Sequence, residues 1–229
     1  MGTAKGAGRT IGVLLLVQIA AAVLVNLVLI GPVITVPPGF LVNAAASSLQ
    51  VSLAVLVGLA AGALSVGIAI AAMPVFRQYS HAMALWLLVL AAVSFALTAV
   101  ENTTVLSMLS LSQTYATANA AAGELFQTLR VVVASARNWA HYINLIFSGA
   151  MFSVFYAVLY RFALIPRALA AFGLAAVMLQ LTAVTMPLFG RPVVFLMLLP
   201  LGLSHLALAL WLIVRGFGQG QPPASTVRA

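Results

Sequence analysis

The chain has 229 residues, of which 64% are hydrophobic and 5% are charged, and its mean hydropathy is +1.19. About a quarter of the residues in a soluble domain are charged, so this composition excludes a soluble globule and predicts a protein solvated by lipid. The net charge of +8 does not indicate nucleic-acid binding, because the ten Lys and Arg residues are dispersed singly. The absence of cysteine excludes disulfides, thiolate metal sites and cysteine nucleophiles.

The apolar runs predict an all-α polytopic bundle of six transmembrane helices, since a crossing helix needs about 20 apolar residues. A short cytoplasmic tail at residues 1–10 precedes a single transmembrane domain at 11–217, and a disordered polar tail follows at 218–229. The first run is longer than the apolar core of a signal peptide, so we interpret it as an uncleaved helix, with a cleaved signal as the alternative. The predicted spans are 11–31, 49–74, 82–107, 140–162, 167–188 and 192–214.

Residues 110–138 are the ambiguous part of the chain, because they are more polar than the other apolar runs. From Glu124 onward the pattern is amphipathic, and we predict an interfacial helix at about 118–138, between the third and fourth spans. A seventh span at 115–135 is the alternative, and it would bury Glu124 and Arg130 at about 2.5–3.5 kcal/mol each. The predicted apolar face of the interfacial helix consists of Leu125, Leu129, Val132, Val133 and Ala136.

The distribution of basic residues predicts the orientation of the chain. Six spans place seven basic residues on one side and three on the other, which predicts that both termini are cytoplasmic. The abundance of Ala, and nine Arg against one Lys, indicate a bacterial genome of high GC content and hence a bacterial plasma (inner) membrane. A seventh span would move three of the basic corners outside, so the charge bias favours six spans. The seven are Lys5, Arg9, Arg77, Arg161, Arg167, Arg215 and Arg228, and the three are Arg130, Arg137 and Arg191.

The segment from Tyr156 to Gly173 predicts a tight hairpin, in which one helix ends at Arg161 and the next begins at Pro166. The stretches LYRFALIPRALAAFGL and LPLGLSHLALALWLIVRGF resemble the C-terminal half of the bacterial membrane family called domain of unknown function 4386. The resemblance is best over 156–217, and it implies a multi-span membrane fold with no established activity. It is carried by Pro166, Arg167, Gly173, Trp211, Leu212, Arg215 and Gly216.

The chain departs from this family at His205, where the family commonly has a glutamate. Any role of that glutamate is therefore not carried over to this chain.

Polar side chains within the spans are candidate functional residues, because burying them in lipid is costly. Most of them fall in the predicted non-cytoplasmic half, which predicts a cavity open to the outside that binds a small or lipid-like molecule. The candidate ligand-binding residues are Asn26, Glu101, Asn102, His141, Asn144, Gln180 and His205.

One alternative joins Glu101, His141 and His205 in a metal, haem or proton-relay site. The three lie on different predicted helices, and no H-x-x-x-H or E-x-x-H pair supports this. We therefore predict no metal and no cofactor. For Glu101 the simpler interpretation is an ion pair with Arg130 or Arg137.

For His205 the simpler interpretation is a hydrogen bond to Ser204, Gln180 or a backbone carbonyl. Trp139 and Tyr142 are predicted to form an interfacial aromatic anchor at the start of the fourth span.

Enzyme signatures are missing: the sequence has no Asp, no Gly-rich phosphate loop and no nucleophile elbow. We expect a non-enzymatic membrane protein whose partners are membrane lipids and a small molecule or another membrane protein, with no nucleic acid. The alternatives are an intramembrane enzyme or metal or haem protein, and a structural subunit of a membrane complex.

Overall fold

The computed structural model describes residues 2–118 and 123–218, and every regular element in these ranges is helical. Six helical stretches are long and apolar enough to cross a membrane, which confirms the predicted all-α bundle of six spans. The eight α-helices are α1 (Gly2–Val23), α2 (Gly31–Thr35), α3 (Phe40–Ala46), α4 (Ser48–Phe76), α5 (His81–Thr117), α6 (Gly123–Arg161), α7 (Arg167–Thr185) and α8 (Leu199–Arg215).

Three shorter helical turns complete these elements. Leu24–Leu29 continues α1 as a wider π-helical turn, Met186–Phe189 continues α7, and Phe195–Met197 precedes α8. The predicted tail at 218–229 lies outside the described residues, apart from Gly218.

The described chain divides into two compact units. Within the described residues, unit 1 comprises 2–19, 64–94 and 145–218, and unit 2 comprises 20–63, 95–118 and 123–144.

The core of unit 1 is aromatic. The Phe76 ring lies 5.5 Å from that of Phe155 and 6.1 Å from that of Phe217. The buried ring of Tyr156 lies directly against Gly173, where even a Cβ would collide with it. The predicted hairpin is confirmed, because α6 ends at Arg161 and Pro166 precedes the first residue of α7.

Unit 2 is built around the helix-breaking sequence Gly31-Pro32. Because proline has no N–H, it cannot donate to the carbonyl of Val28 four residues earlier. Gln50 of α4 supplies the missing donor: its Nε2 donates to the carbonyls of Val28 (3.0 Å) and Leu29 (2.8 Å). The apolar core of the unit comprises Ile30, Val33, Phe40, Ala44, Val51, Ala54, Val55, Val105, Met108 and Leu109.

The structure differs from the predicted boundaries at two places. The segment predicted as a cytoplasmic tail is helical from Gly2 onward, and the buried Gly8 lies directly against the backbone of Gly216 and Phe217. The amphipathic segment 118–138 is not a separate helix, since α6 begins at Gly123 and continues without interruption to Arg161.

The segment 115–135 is not one continuous helix either, because α5 ends at Thr117 and α6 begins at Gly123. Helix α5 extends ten residues past its predicted end at 107. Its polar side chains do not end it, because the hydroxyls of Thr103, Ser107 and Thr114 donate to carbonyls of the preceding turn.

Candidate ligand-binding site

A polar network joins α5 and α6 within unit 2. Arg137, His141 and Asn144 follow one another at intervals of four and three residues, so they lie on one face of α6. Thr98 and Glu101 are three residues apart and lie on one face of α5. The sequence therefore places an acid on one helix and three donor side chains on the other.

Glu101 is the centre of this network. His141 Nδ1 lies 2.7 Å from its Oε1, and Asn144 Nδ2 donates to its Oε2 over 3.1 Å. Asn144 Nδ2 also donates to Thr98 Oγ1 over 3.1 Å. Because an ionised carboxylate only accepts hydrogen bonds, His141 Nδ1 carries the proton in this arrangement.

Arg137 supplies the positive charge nearest to the carboxylate. Its Nη2 lies 3.9 Å from Glu101 Oε1, and the two side chains are only 17% and 16% exposed. The ion pair predicted between Glu101 and Arg137 is thus confirmed. Since a buried charge costs several kcal/mol unless it is paired and hydrogen-bonded, these contacts hold the carboxylate in place.

An open cleft of about 460 Å³ lies on the neighbouring face of the same helix. All of its lining belongs to unit 2, and most comes from the first half of α6. The lining residues are Phe40, Arg130, Val131, Ala134, Ser135, Asn138, Trp139 and Tyr142. The cleft is within the size range of small-molecule sites, about 300–1,000 Å³.

The network and the cleft have no residue in common, but residues of the one contact residues of the other. Arg137 Nη1 donates to Oδ1 of Asn138 (3.4 Å), which lines the cleft. The Tyr142 ring lies 6.1 Å from both the His141 ring and the Trp139 ring. The contacts of Arg137 and His141 with Glu101 therefore support the part of α6 that forms the wall of the cleft.

Two other predicted residues of unit 2 serve the backbone instead. Asn102 Nδ2 donates to the carbonyl of Thr98 (2.8 Å), and the exposed Asn26 donates to that of Ala22 (2.9 Å). Neither residue lines the cleft. Both amides satisfy helix carbonyls.

Gln180 and His205 lie in unit 1. Gln180 Nε2 donates to the carbonyl of Leu145 (3.3 Å). The His205 ring packs against the rings of Phe152, with 4.1 Å between centroids, and Tyr156, with 5.9 Å. Within the described residues, neither Gln180 Oε1 nor His205 Nε2 has a hydrogen-bond partner.

The hydrogen bond predicted for His205 is therefore not formed at Nε2. The Ser204 hydroxyl instead donates to the carbonyl of Leu201 (2.9 Å) and lies 3.2 Å from Tyr156 Oη. The histidine is held by aromatic packing.

The metal-site alternative joined Glu101, His141 and His205. In the ranges 2–118 and 123–218, no three His, Cys, Asp or Glu side chains are arranged to hold a metal ion. Glu101 and His141 are together in unit 2, whereas His205 belongs to unit 1.

None of the eight residues that line the cleft is among the predicted site residues. Arg130, Ser135 and Asn138 lie in the ambiguous segment 110–138, where no span was predicted. Trp139 and Tyr142 were predicted as an anchor. Phe40 precedes α4 in a proline-containing connection, and its position opposite α6 leaves no periodic signal in the sequence.

The six long apolar helices and the polar network between α5 and α6 identify the class of protein: a multi-pass, all-α helical membrane protein. The family model described as Domain of unknown function (DUF4386) matches residues 10–216. The chain belongs to this family. No curated protein and no solved structure matches the chain.

Proposed function

We propose that this chain is a non-enzymatic protein of the bacterial inner membrane that binds a small, lipid-like molecule in the cleft of unit 2. The proposal rests on the cleft, which has a volume of about 460 Å³ and is lined by aromatic side chains and a few polar groups. Binding sites for small molecules combine an apolar lining with a small number of placed polar groups.

The chemistry of the lining favours an amphiphile over a fully polar molecule. Phe40, Trp139 and Tyr142 offer aromatic surface, and Arg130 offers a permanent charge at the same cleft. Trp and Tyr are common at the membrane–water interface, where one end of a ring is apolar and the other is wet. A ligand with one polar end and one apolar end matches this lining.

The network on Glu101 supports binding by keeping the wall of the cleft rigid. The 2.7 Å contact of His141 and the 3.1 Å contact of Asn144 tie α6 to α5. A wall that does not have to be ordered when the ligand arrives loses less entropy on binding.

The proposed orientation places both termini in the cytoplasm and the cleft in the outer half of the membrane. This follows from the Lys and Arg bias, since Arg130 and Arg137 are among the three basic residues of the less basic side. The ligand then enters from the outer leaflet or from the space outside it. No cofactor and no nucleic acid is part of the proposal.

Native mass spectrometry of the purified full-length protein tests the proposal. We expect a co-purified small molecule on the wild type and its loss from Trp139→Ala. Trp211→Ala is the matched control, because Trp211 is 36% exposed and Trp139 is 37% exposed, and Trp211 does not line the cleft. A wild type without any bound molecule, or equal loss from both variants, contradicts the proposal.

A further inference from the structure

We infer that the ligand of the cleft is a single-chain amphiphile with an anionic head group, bound through Arg130. This inference rests on the proposed function and names the chemical class of its ligand. It follows from the charge, the donor pattern and the size of the cleft.

The charge of Arg130 is not balanced by an acid. The whole chain has two acidic residues, Glu101 and Glu124. Among the described residues, the ion pairs are made by Glu101 with Arg137 and His141, and Arg130 makes none. Glu124 is six residues before Arg130, so the two are on different faces of α6. The cleft therefore presents an uncompensated positive charge.

The neighbouring polar groups are able to donate hydrogen bonds to the same anion. Arg137 only donates, so the atom of Asn138 that accepts from it is the carbonyl oxygen, which leaves the Asn138 amide NH₂ as a donor. The Ser135 hydroxyl, the Trp139 indole N–H and the Tyr142 hydroxyl are further donors in the lining. No acidic side chain lines the cleft. This pattern complements a carboxylate or phosphate oxygen and opposes a cationic head group.

The size of the cleft favours a ligand with one acyl chain over a lipid with two. A volume of about 460 Å³ is in the lower half of the range of small-molecule sites, about 300–1,000 Å³. A head group with one acyl chain is of that size, whereas a two-chain phospholipid places only its head group there.

Quenching of Trp139 fluorescence by brominated amphiphiles tests the inference. The chain has three tryptophans, so the full-length Trp86→Phe/Trp211→Phe variant has Trp139 as its single reporter. The protein is studied in phosphatidylcholine nanodiscs at pH 8 with three probes of equal chain length: 11-bromoundecanoate, 11-bromoundecanol and 11-bromoundecyltrimethylammonium. We expect saturable quenching with at least tenfold tighter binding of the carboxylate.

Arg130→Gln removes the charge from an exposed side chain, so the variant is expected to fold normally. It should weaken the carboxylate about tenfold, because a hydrogen bond to a charged group is worth more than one tenfold step in affinity. Arg191→Gln is the matched control, since Arg191 is exposed and does not line the cleft. It should leave the affinity unchanged.

The outcomes separate the two proposals. Saturable binding of all three probes with equal affinity overturns the anionic head group but keeps the proposed function. Absence of saturable quenching by any probe overturns both. Displacement of the probe by acetate alone shows that the acyl chain of the ligand does not contribute to binding and overturns its role. Displacement by phosphatidylglycerol in the nanodisc at an equal mole fraction shows that a two-chain lipid binds as well and overturns the single-chain class. An unchanged preference in Arg130→Gln removes Arg130 from the site.

Discussion

Substitution of Glu101 by glutamine is the sharpest test of the polar network in unit 2. The substitution preserves the shape of the side chain and removes its charge. Oε1 still accepts from His141, but the new amide nitrogen faces the Asn144 amide nitrogen, which donates to Glu101 Oε2 over 3.1 Å in the wild type. We expect Glu101→Gln to destabilise the protein by about 2.5–4.5 kcal/mol.

The magnitude follows from the two short contacts. A hydrogen bond to a charged group contributes about 1.5–3 kcal/mol and a neutral one about 0.5–1.5 kcal/mol, so the His141 contact loses about 1–1.5 kcal/mol. The Asn144 contact, in which a donor then faces a donor, loses its full contribution of about 1.5–3 kcal/mol. The 3.9 Å contact of Arg137 adds attraction that the burial of both charges offsets, so it is left out of the sum.

The measurement is denaturant unfolding of the purified protein in mixed micelles, followed by tryptophan fluorescence. Glu124→Gln is the matched control, because Glu124 is the only other acid of the chain and is exposed. We expect that variant to stay within about 0.5 kcal/mol of the wild type. Equal stabilities of the two variants would refute the role assigned to Glu101.

Three further substitutions test the helix ends and the helix packing, each by the same unfolding measurement. Ala163 is in the left-handed conformation (φ 52°) at the end of α6, so Ala163→Gly should stabilise by about 0.5–1 kcal/mol, and a loss of stability contradicts that geometry. Gly173→Ala should destabilise by about 1–3 kcal/mol, because the added methyl meets the Tyr156 ring, and a neutral result rules out that contact. Gln50→Leu should destabilise by about 1–3 kcal/mol, because it removes both hydrogen bonds to the π-helical turn. A neutral result there means that the carbonyls have other donors.

That Glu101 and His141 lie at a similar depth was predictable, because the position of a residue within its span gives its depth in the membrane. A residue's distance from the end of its span gives its level at about 1.5 Å per residue. That reasoning places Glu101, His141 and Asn144 at one level, where the structure joins them. The same reasoning also placed Asn26 and Asn102 among the candidate site residues, although both donate to backbone carbonyls. Depth alone does not tell which way a side chain points.

The continuity of α6 was not predictable from polarity. Glu124, Arg130 and Arg137 oppose burial in lipid, and the separate interfacial helix was inferred from that. Polarity decides where a helix can lie, but a polar side chain does not by itself end a helix, because the backbone hydrogen bonds do not depend on it. No proline lies between Gly123 and Arg161, and the helix extends past its apolar part.

The cleft was beyond sequence reasoning for a related reason. Its wall combines α6 with Phe40, which is ninety residues before Arg130. The pairing depends on the fold of the connection that follows Gly31-Pro32, and local patterns of hydrophobicity do not encode it. The packing of His205 against aromatic rings is likewise a tertiary feature.

Photo-crosslinking tests the occupancy of the cleft most directly. The full-length protein in phosphatidylcholine nanodiscs is irradiated with a twelve-carbon carboxylate that carries a diazirine on its chain, and the labelled residues are mapped by mass spectrometry. We predict labels concentrated at Phe40 and within 130–142 of α6, and their loss when excess unlabelled dodecanoate is present. Labels spread evenly over exposed apolar positions such as Leu49 and Leu56, with no effect of the competitor, would contradict the claim that this cleft binds a lipid-like molecule.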